Sequence, residues 1–283
     1  MTVPWFLQRM AALDFESSGL DTSTARIVTC ALSLVGGGQA PDARTWLLNP
    51  GIPMEPGAIE KHKITDEYAA AHGQPAAVGV HEIAQAVAEV VTAGVPLVGH
   101  NLGGYDLDLL NAECGRYLGD SLEGVCRQPI TRVIDTLVLD KHAAPFQKRV
   151  SEEQSAYELR STAERYGLGW DEEQAHGAEY DALQSAQAAY RMGVIAHTPR
   201  AERPDWVKAL KNRRGPYERF NDLAVADVEE LHRHQIVWAR EQAQDRMVWL
   251  RSQGEHEAAD GVRTVWPLTP LPAGEPESEG VTA

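Results

Sequence analysis

Asp14 and Glu16 are the first residues in this sequence whose types and spacing could bind a metal ion. They stand two residues apart in Leu13-Asp14-Phe15-Glu16, within an apolar segment that predicts a buried strand. Residues two apart in a strand face the same side, so both carboxylates would leave the apolar segment together. That arrangement is costly unless a cation compensates, and a hard divalent ion prefers such oxygen ligands. The spacing alone is equally compatible with two solvated acids at a strand end.

Three more ionisable residues stand near predicted helix starts. Asp106 follows an apolar strand and a glycine-containing loop, a position that taken alone favours a helix cap or first-turn acid. His176 and Asp181 open an alanine-rich helix. If both lay on that helix they would be about 140° apart, so they converge more easily if His176 precedes the helix and Asp181 lies in its first turn. A surface histidine before a helix is the ordinary alternative.

The elements that must position these residues predict a mixed α/β sheet. Predicted strands cover residues 10–15, 26–35, 43–49, 95–99 and part of 131–139, and the first three form an antiparallel meander. Predicted helices cover residues 79–93, 105–118, 158–166, 181–195 and 225–253. No convincing strand is predicted between residue 201 and Val262.

Composition excludes several classes of protein. The 283 residues contain no apolar run of eighteen or more, so we expect no membrane span, and we find no secretory signal. Cys30, Cys114 and Cys126 are far apart, which argues against a structural zinc site or a disulfide framework and favours a cytoplasmic location. A net charge of −15 speaks against a non-specific nucleic-acid binder unless bound cations reverse the local field.

Together, the order and context of these segments resemble the DEDDh (DnaQ-like) exonuclease superfamily over residues 10–193. That superfamily includes the proofreading epsilon subunit of bacterial DNA polymerase III, ribonuclease T and oligoribonuclease. Short segments that support the resemblance are Gly19-Leu20 and Arg26-Ile27-Val28. Residues 159–161 and 166–168 also resemble the part of the family that precedes its third motif, here His176 to Asp181. The resemblance implies an RNase H-like fold, with a mixed five-stranded sheet flanked by helices and a C-terminal helical extension.

The resemblance also implies two divalent ions, Mg²⁺ or Mn²⁺, with Asp14, Glu16, Asp106 and Asp181 as ligands. Asp14 would bridge both ions, and Glu16 and Asp181 would complete the ion that serves the attacking water. Asp106 would serve the ion near the leaving 3′-oxygen. His176 would be the general base, a task that its ordinary pKa suits.

The same resemblance implies contacts to the terminal nucleotide. The residues expected to bind substrate are Ser17, Gly19, Leu20, Asn101 and Tyr105. A sister group carries tyrosine where this chain has Gly177, so the chain is of the histidine type. We expect His100 and Asn101 to order their loop, Asp108 to face away from Asp106, and Asp135 to support the site without binding metal.

The expected activity is hydrolysis of single-stranded DNA from its 3′ end, releasing nucleoside 5′-monophosphates. Two alternatives stay open: an RNA-directed 3′→5′ exoribonuclease, and a polymerase or repair subunit that binds its partner through the C-terminal helix.

We assign residues 1–198 to the exonuclease domain, 199–269 to the extension and 270–283 to a disordered tail. In the segment 200–220, seven basic residues against three acidic ones give +4, interleaved with Trp206, Tyr217 and Phe220. This segment either grips a single strand or anchors a linker to the core.

Overall fold

The centre of the molecule is a mixed sheet of six strands in the order β4-β3-β2-β1-β5-β6. It is seen in a computed structural model that describes residues 3–152, 154–212 and 215–271. Of the tail predicted from residue 270, residues 272–283 lie outside these ranges. The strands are β1 (Arg9–Ser17), β2 (Ile27–Gly36), β3 (Asp42–Asn49), β4 (Gln74–Pro75), β5 (Leu97–Gly99) and β6 (Val133–Asp135).

The strand pairing confirms the predicted meander. β1, β2 and β3 pair antiparallel in sequence order, and β5 and β6 continue the sheet parallel to β1. The prediction of five strands is one short, because β4 pairs in parallel with the end of β3. Two residues carry no periodicity, so β4 left no pattern in the sequence.

Helices flank the sheet, and the five predicted ones are present with ends displaced by a few residues. The remaining short helices, around residues 56–72, 122–126, 136–143, 205–208 and 256–260, were not predicted. None of the helices within the described ranges is long and apolar enough to cross a membrane. The helices are α1 (Pro56–His62), α2 (Asp66–His72), α3 (Ala76–Thr92), α4 (Asp106–Leu118), α5 (Leu122–Cys126), α6 (Thr136–Ala143), α7 (Leu159–Arg165), α8 (Ala178–His197), α9 (Asp205–Lys208), α10 (Val228–Ser252) and α11 (His256–Asp260).

Close helix packing fixes the central strand β1. Residues 10–13 of β1 are all buried, and α8 lies along β1 and β2. A Cβ added to Gly193 of α8 would stand 2.2 Å from a carbon of Phe6, so only glycine permits this approach. On α3, a Cβ added to Gly79 would stand 2.6 Å from a carbon of Leu48 of β3. The neighbouring strands and α8 hold β1 in place. The backbone at the C-terminal end of β1 is therefore fixed, and so is the direction of the side chains there.

The C-terminal extension covers the open edge of the sheet at β6. The side-chain oxygen of Gln235 on α10 accepts a hydrogen bond from the Asp135 N–H at 2.8 Å, and its amide nitrogen donates to the Val133 carbonyl at 2.8 Å. His232 Nδ1 accepts from the Val133 N–H at 3.3 Å. Side chains therefore satisfy the backbone groups that a further strand would otherwise pair. The division at residues 198 and 199 stays a prediction.

In the segment 200–220, the described side chains anchor the chain to the core. Arg203 is 2% exposed and forms an ion pair with Glu218, with both carboxylate oxygens at 2.9–3.0 Å. Phe220 is fully buried, and Trp206 contacts the ring of Tyr166 edge-on at 5.4 Å. These contacts favour the anchoring interpretation. Arg213 and Arg214 lie outside the described residues.

Strand prediction failed in the extension. Lys211–Asn212 and Gly215–Pro216 form a two-stranded antiparallel pair where no strand was expected. Residues 262–266 are irregular, so the segment beginning at Val262 is no strand either. A two-residue pairing is set by local backbone contacts and needs no alternation of apolar residues.

The buried ion pair gives a first prediction. We expect Arg203→Ala to lower the free energy of unfolding by about 3–5 kcal/mol, because Glu218 would stay buried without its partner. Arg200 is the matched control, since it contacts the same glutamate at 3.1 Å while its side chain is 57% exposed. Arg200→Ala should cost less than about 1 kcal/mol. Urea denaturation measures both, and equal losses would contradict the anchoring role of Arg203.

Candidate active site

Asp14 and Glu16 stand near the C-terminal end of β1. Asp14 lies opposite Ala31 of β2 and Glu16 opposite Thr29, and the regular register then shifts between Glu16 and Ser17. Both carboxylates are half-buried and share one face of the strand, as the spacing predicted. The irregularity ends the strand just beyond the two acids, so they sit at the edge of the packed core.

A direct hydrogen bond joins Asp106 to this strand. Asp106 is the first residue of α4 and is 5% exposed. Its Oδ1 accepts a hydrogen bond from the Phe15 N–H at 3.1 Å. The start of α4 is therefore attached to the backbone between Asp14 and Glu16, although ninety residues of sequence separate Phe15 from Asp106.

Asp181 and His176 approach from the start of α8. The helix begins at Ala178, so His176 precedes it and Asp181 lies in its first turn, which confirms the predicted placement. His176 has a positive φ of 61°, a conformation that non-glycine residues rarely adopt. Single ligand atoms of Glu16, His176 and Asp181 all lie within 4.8 Å of one another.

The carboxylates of this site raise the pKa of one another. Burial raises the pKa of Asp14 well above its usual range, and the charges of Asp106, Glu16 and Asp181 add to the effect. Burial also raises the pKa of Asp106 and, assisted by Asp181, brings that of Glu16 to about 8, against the opposing charge of Lys61. The pKa of Asp181 rises to about 7, again through burial.

These residues fit a divalent cation. Asp181 Oδ1 is buried and has no hydrogen-bond partner within the described part of the chain. Four carboxylates that repel one another in a half-buried site need a positive charge, and hard oxygen donors are the ligands that Mg²⁺ and Mn²⁺ prefer. Asp14, Glu16, Asp106 and Asp181 could hold such ions.

His176 has the electrostatics of a base. Desolvation lowers its pKa below the ordinary 6.5, and the charges of Lys61 and Lys63 lower it further. The ring is therefore neutral at pH 7, and a neutral imidazole can accept a proton.

Three of the residues predicted to bind substrate form one hydrogen-bonded group. The Ser17 hydroxyl donates its one proton to the Tyr105 hydroxyl at 2.5 Å, and the Ser17 oxygen also lies 2.8 Å from the Gly19 carbonyl oxygen. Tyr105 also donates to the Gly19 carbonyl, a contact that a phenylalanine at this position could not make. Leu20, at the tip of the same turn, is 77% exposed. The group holds the turn after β1 against the loop that carries Asp106.

The loop before α4 is built around Asp135. This carboxylate is 1% exposed and is engaged by hydrogen bonds, so the structure gives it a positioning role. His100 helps to fix the same loop, with Nδ1 at 2.9 Å from the Thr136 hydroxyl and Nε2 at 2.9 Å from the Tyr157 carbonyl. The groups that donate to the Asp135 carboxylate are the N–H groups of Asn101 (2.9 Å), Gly103 (3.1 Å) and Leu137 (3.0 Å) and the Trp266 indole (3.4 Å).

Asp108 lies on the other side of α4, as expected. It accepts hydrogen bonds from the N–H and hydroxyl of Thr269 at 2.7 and 2.9 Å and forms an ion pair with Arg263 at 2.6 Å. It therefore fastens the end of the extension and takes no part in the acidic cluster.

Sequence reasoning missed one wall of the site. A cleft of about 940 Å³ opens beside Glu16 and His176, and its lining includes His62 and Lys63. Lys63 ends α1 with a φ of 61°. The run Lys61-His62-Lys63 in an acidic chain was the available signal, but its position beside the site depends on how α1 packs.

Burial of the carboxylates, assisted by their repulsion, predicts an inverted pH dependence for the metal-free protein. Glu16 and Asp181 have raised pKa values of about 8 and about 7 in the folded state, so the folded state binds protons more tightly than the unfolded one. Stability should then fall as pH rises from about 5 to about 8. Thermal unfolding in EDTA measures this. Stability that rises over the same range would contradict the assignment.

Added Mg²⁺ or Mn²⁺ should restore the stability that the metal-free protein loses at high pH. An ion at a hundredfold excess over its dissociation constant stabilises by about 2.7 kcal/mol. Asp14→Asn should abolish this stabilisation. Glu179→Gln is the matched control, because Glu179 is exposed in the same first turn of α8 as Asp181 and should keep the full effect.

Structures of exonuclease I are among the solved structures that share this fold. E. coli exonuclease I in complex with a dT13 oligonucleotide superposes with a TM-score of 0.54 at 17% identity, covering 73% of this chain and 45% of that one. The zinc-bound complex of E. coli exonuclease I with single-stranded DNA gives 0.51 at 16% identity, covering 73% and 44%. A complex named ExoI/SSB-Ct gives 0.52 at 15% identity, covering 66% and 41%. This chain thus spans less than half the length of these proteins. A comparison with curated proteins found no sequence match.

The superpositions show only a shared fold, whereas a match to a family model shows the family of this chain. The model described as "Exonuclease", of the RNase T type, matches residues 11–189. That range runs from β1 into α8 and includes the four clustered carboxylates and His176. The match covers more than half of the sequence, and we conclude that the chain belongs to the exonuclease family.

Proposed function

We propose that this chain is a metal-dependent 3′→5′ exonuclease that removes nucleoside 5′-monophosphates from single-stranded DNA. The observation that carries the proposal is the convergence of four carboxylates and one histidine from three separate elements. Asp14 and Glu16 come from β1, Asp106 from the start of α4, and His176 and Asp181 from the start of α8.

The four carboxylates would hold the ions and the histidine would move the proton. Burial raises the pKa of Asp14, and the charges of Asp106, Glu16 and Asp181 raise it further, so a bound cation would relieve repulsion at this residue. Two divalent ions, when bound, supply electrostatic stabilisation of the attacking and leaving oxygens at phosphorus. A ring nitrogen of His176 takes the proton of the attacking water, because the ring is neutral at pH 7.

Fold relatives support single-stranded DNA as the substrate. E. coli exonuclease I has been solved in complex with dT13 and with single-stranded DNA. The local acidity is no obstacle, since ions bound by the cluster reverse the field that a phosphate meets. RNA is the alternative substrate, and the 2′-hydroxyl is the group that would distinguish the two.

A partner of the polymerase or repair class is the other alternative. It would have to use the outer surface of α10, where Val248 is 69% and Trp249 is 56% exposed. The complete set of acids and histidine supports catalysis by the chain itself. The fold relatives include a complex of ExoI with SSB-Ct.

The activity test uses oligonucleotides labelled at the 5′ or the 3′ end. With Mg²⁺ or Mn²⁺, a 5′-labelled DNA should shorten stepwise, a 3′-labelled one should release its label in the first step, and EDTA should stop both. A parallel RNA series determines the sugar preference. Failure to shorten any strand from its 3′ end with either metal would refute the proposal.

His176→Gln should lower kcat by about 10²–10⁴-fold, because a positioned base contributes that much. The variant should retain the metal-induced stabilisation, since the four carboxylates remain. His81→Gln is the matched control, as His81 is exposed on α3 and should leave kcat unchanged. A kcat within twofold of the wild type for His176→Gln would remove the histidine from the mechanism.

A further inference from the structure

A second cleft, which we call the extension groove, lies where the family domain meets the C-terminal extension. Its volume is about 730 Å³, and it is lined by the loop 101–104, by α6, by one face of α10 and by residues 261–266. Gly104 on its rim is exposed and directly precedes Tyr105, which contacts Ser17 of the candidate site. A strand that leaves the site across Tyr105 would therefore enter the groove.

Two cations line the groove without an ion-pair partner among the described residues. Lys141 comes from α6 and Arg246 from α10. Burial lowers the pKa of Lys141, and the charge of Arg246 lowers it further, against the opposing charges of Asp135 and Asp140. Within the described residues neither side chain forms an ion pair. Folding has thus brought two like charges together, an arrangement that an anionic ligand would stabilise.

The two carboxylates whose charges act on Lys141 are already engaged in other hydrogen bonds. Asp135 accepts the N–H groups of the loop before α4, and Asp140 accepts hydrogen bonds from Arg165, Tyr166 and Thr162. Arg263, also in the lining, is paired with Asp108. Asp245 on the rim is exposed to solvent. Lys141 and Arg246 are therefore the charges that remain for a ligand.

An exposed aromatic ring completes the groove. Phe146 is 73% exposed, and its φ of 63° is one that non-glycine residues adopt at a cost of about 1–3 kcal/mol. Its ring lies 5.2 Å from that of Tyr217. Backbone strain that holds an apolar ring in water is typical of ligand-contacting positions. A flat ring beside two cations suits a base next to phosphates.

We propose that the extension groove binds the single-stranded DNA on the 5′ side of the nucleotide being removed. Lys141 and Arg246 contact two successive backbone phosphates, and a base stacks on Phe146. The proposal rests on the function proposed above and assigns the extension a role in holding long substrates. An acidic peptide would satisfy the two cations but offers no base to stack, so single-stranded DNA fits the whole lining better.

The test compares a 15-mer with a 4-mer of thymidine, each fluorescein-labelled at the 5′ end and closed by a 3′-phosphorothioate linkage, in Mg²⁺. In fluorescence anisotropy, the double variant Lys141→Gln/Arg246→Gln should bind the 15-mer about tenfold more weakly and the 4-mer as the wild type does. Loss of two phosphate contacts should make the slope of log K against log salt less negative by about 1.4. Phe146→Ala should weaken 15-mer binding about fivefold or more.

Arg240→Gln is the matched control, because Arg240 is exposed on α10 but turned about 120° from Arg246 around the helix. Thermal unfolding of all variants verifies that they fold. Unchanged 15-mer affinity in the double variant would overturn the proposal, as would a loss restricted to an acidic dodecapeptide tested in parallel. If the wild type binds the 15-mer through these residues yet hydrolyses no oligomer, the proposed activity fails while the groove stands.

Discussion

The electrostatic repulsion among four carboxylates at the end of β1 is the constraint on which the rest of the structure depends. Each of Asp14, Glu16, Asp106 and Asp181 has a pKa raised by burial, and the charges of the neighbouring acids act in the same direction for Asp14 and Glu16. Such a cluster stabilises nothing by itself, so the surrounding core must hold it in place. A divalent cation converts the same arrangement into a favourable one. The site is thus formed in advance of its ligand, and the stability of the core offsets the cost.

The backbone that holds these acids is braced from the C-terminal extension. Asp135 accepts the N–H groups of Asn101 and Gly103 in the loop before Asp106, and the Trp266 indole reaches the same carboxylate. The N–H of Asp135 in turn donates to Gln235 of α10. Residues beyond the family domain therefore contact the element that positions Asp106. The same junction forms the walls of the extension groove, which links the extension to the geometry of the site and to the path of a long substrate.

Local patterns predicted the elements that carry the site. The strand period placed Asp14 and Glu16 on one face, and helix-start geometry placed His176 before α8 with Asp181 in its first turn. Long-range contacts left no such pattern. The two-residue strand β4, the position of His62 beside the site and the meeting of Lys141 with Arg246 all arise from tertiary packing. The tyrosine hydroxyl at position 105 gained a meaning only when Ser17 and Gly19 were seen beside it.

The central claim is that the repelling carboxylates retain protons until a cation displaces them. Calorimetric titration with Mn²⁺ at pH 7, repeated in two buffers of different ionisation enthalpy, counts the protons released for each ion bound. We expect net proton release, because Glu16 and Asp181 have pKa values of about 8 and about 7 before the ion binds. Asp106→Asn should bind fewer ions and release fewer protons. Binding without proton release, or binding that is unaltered in Asp106→Asn, would contradict the account.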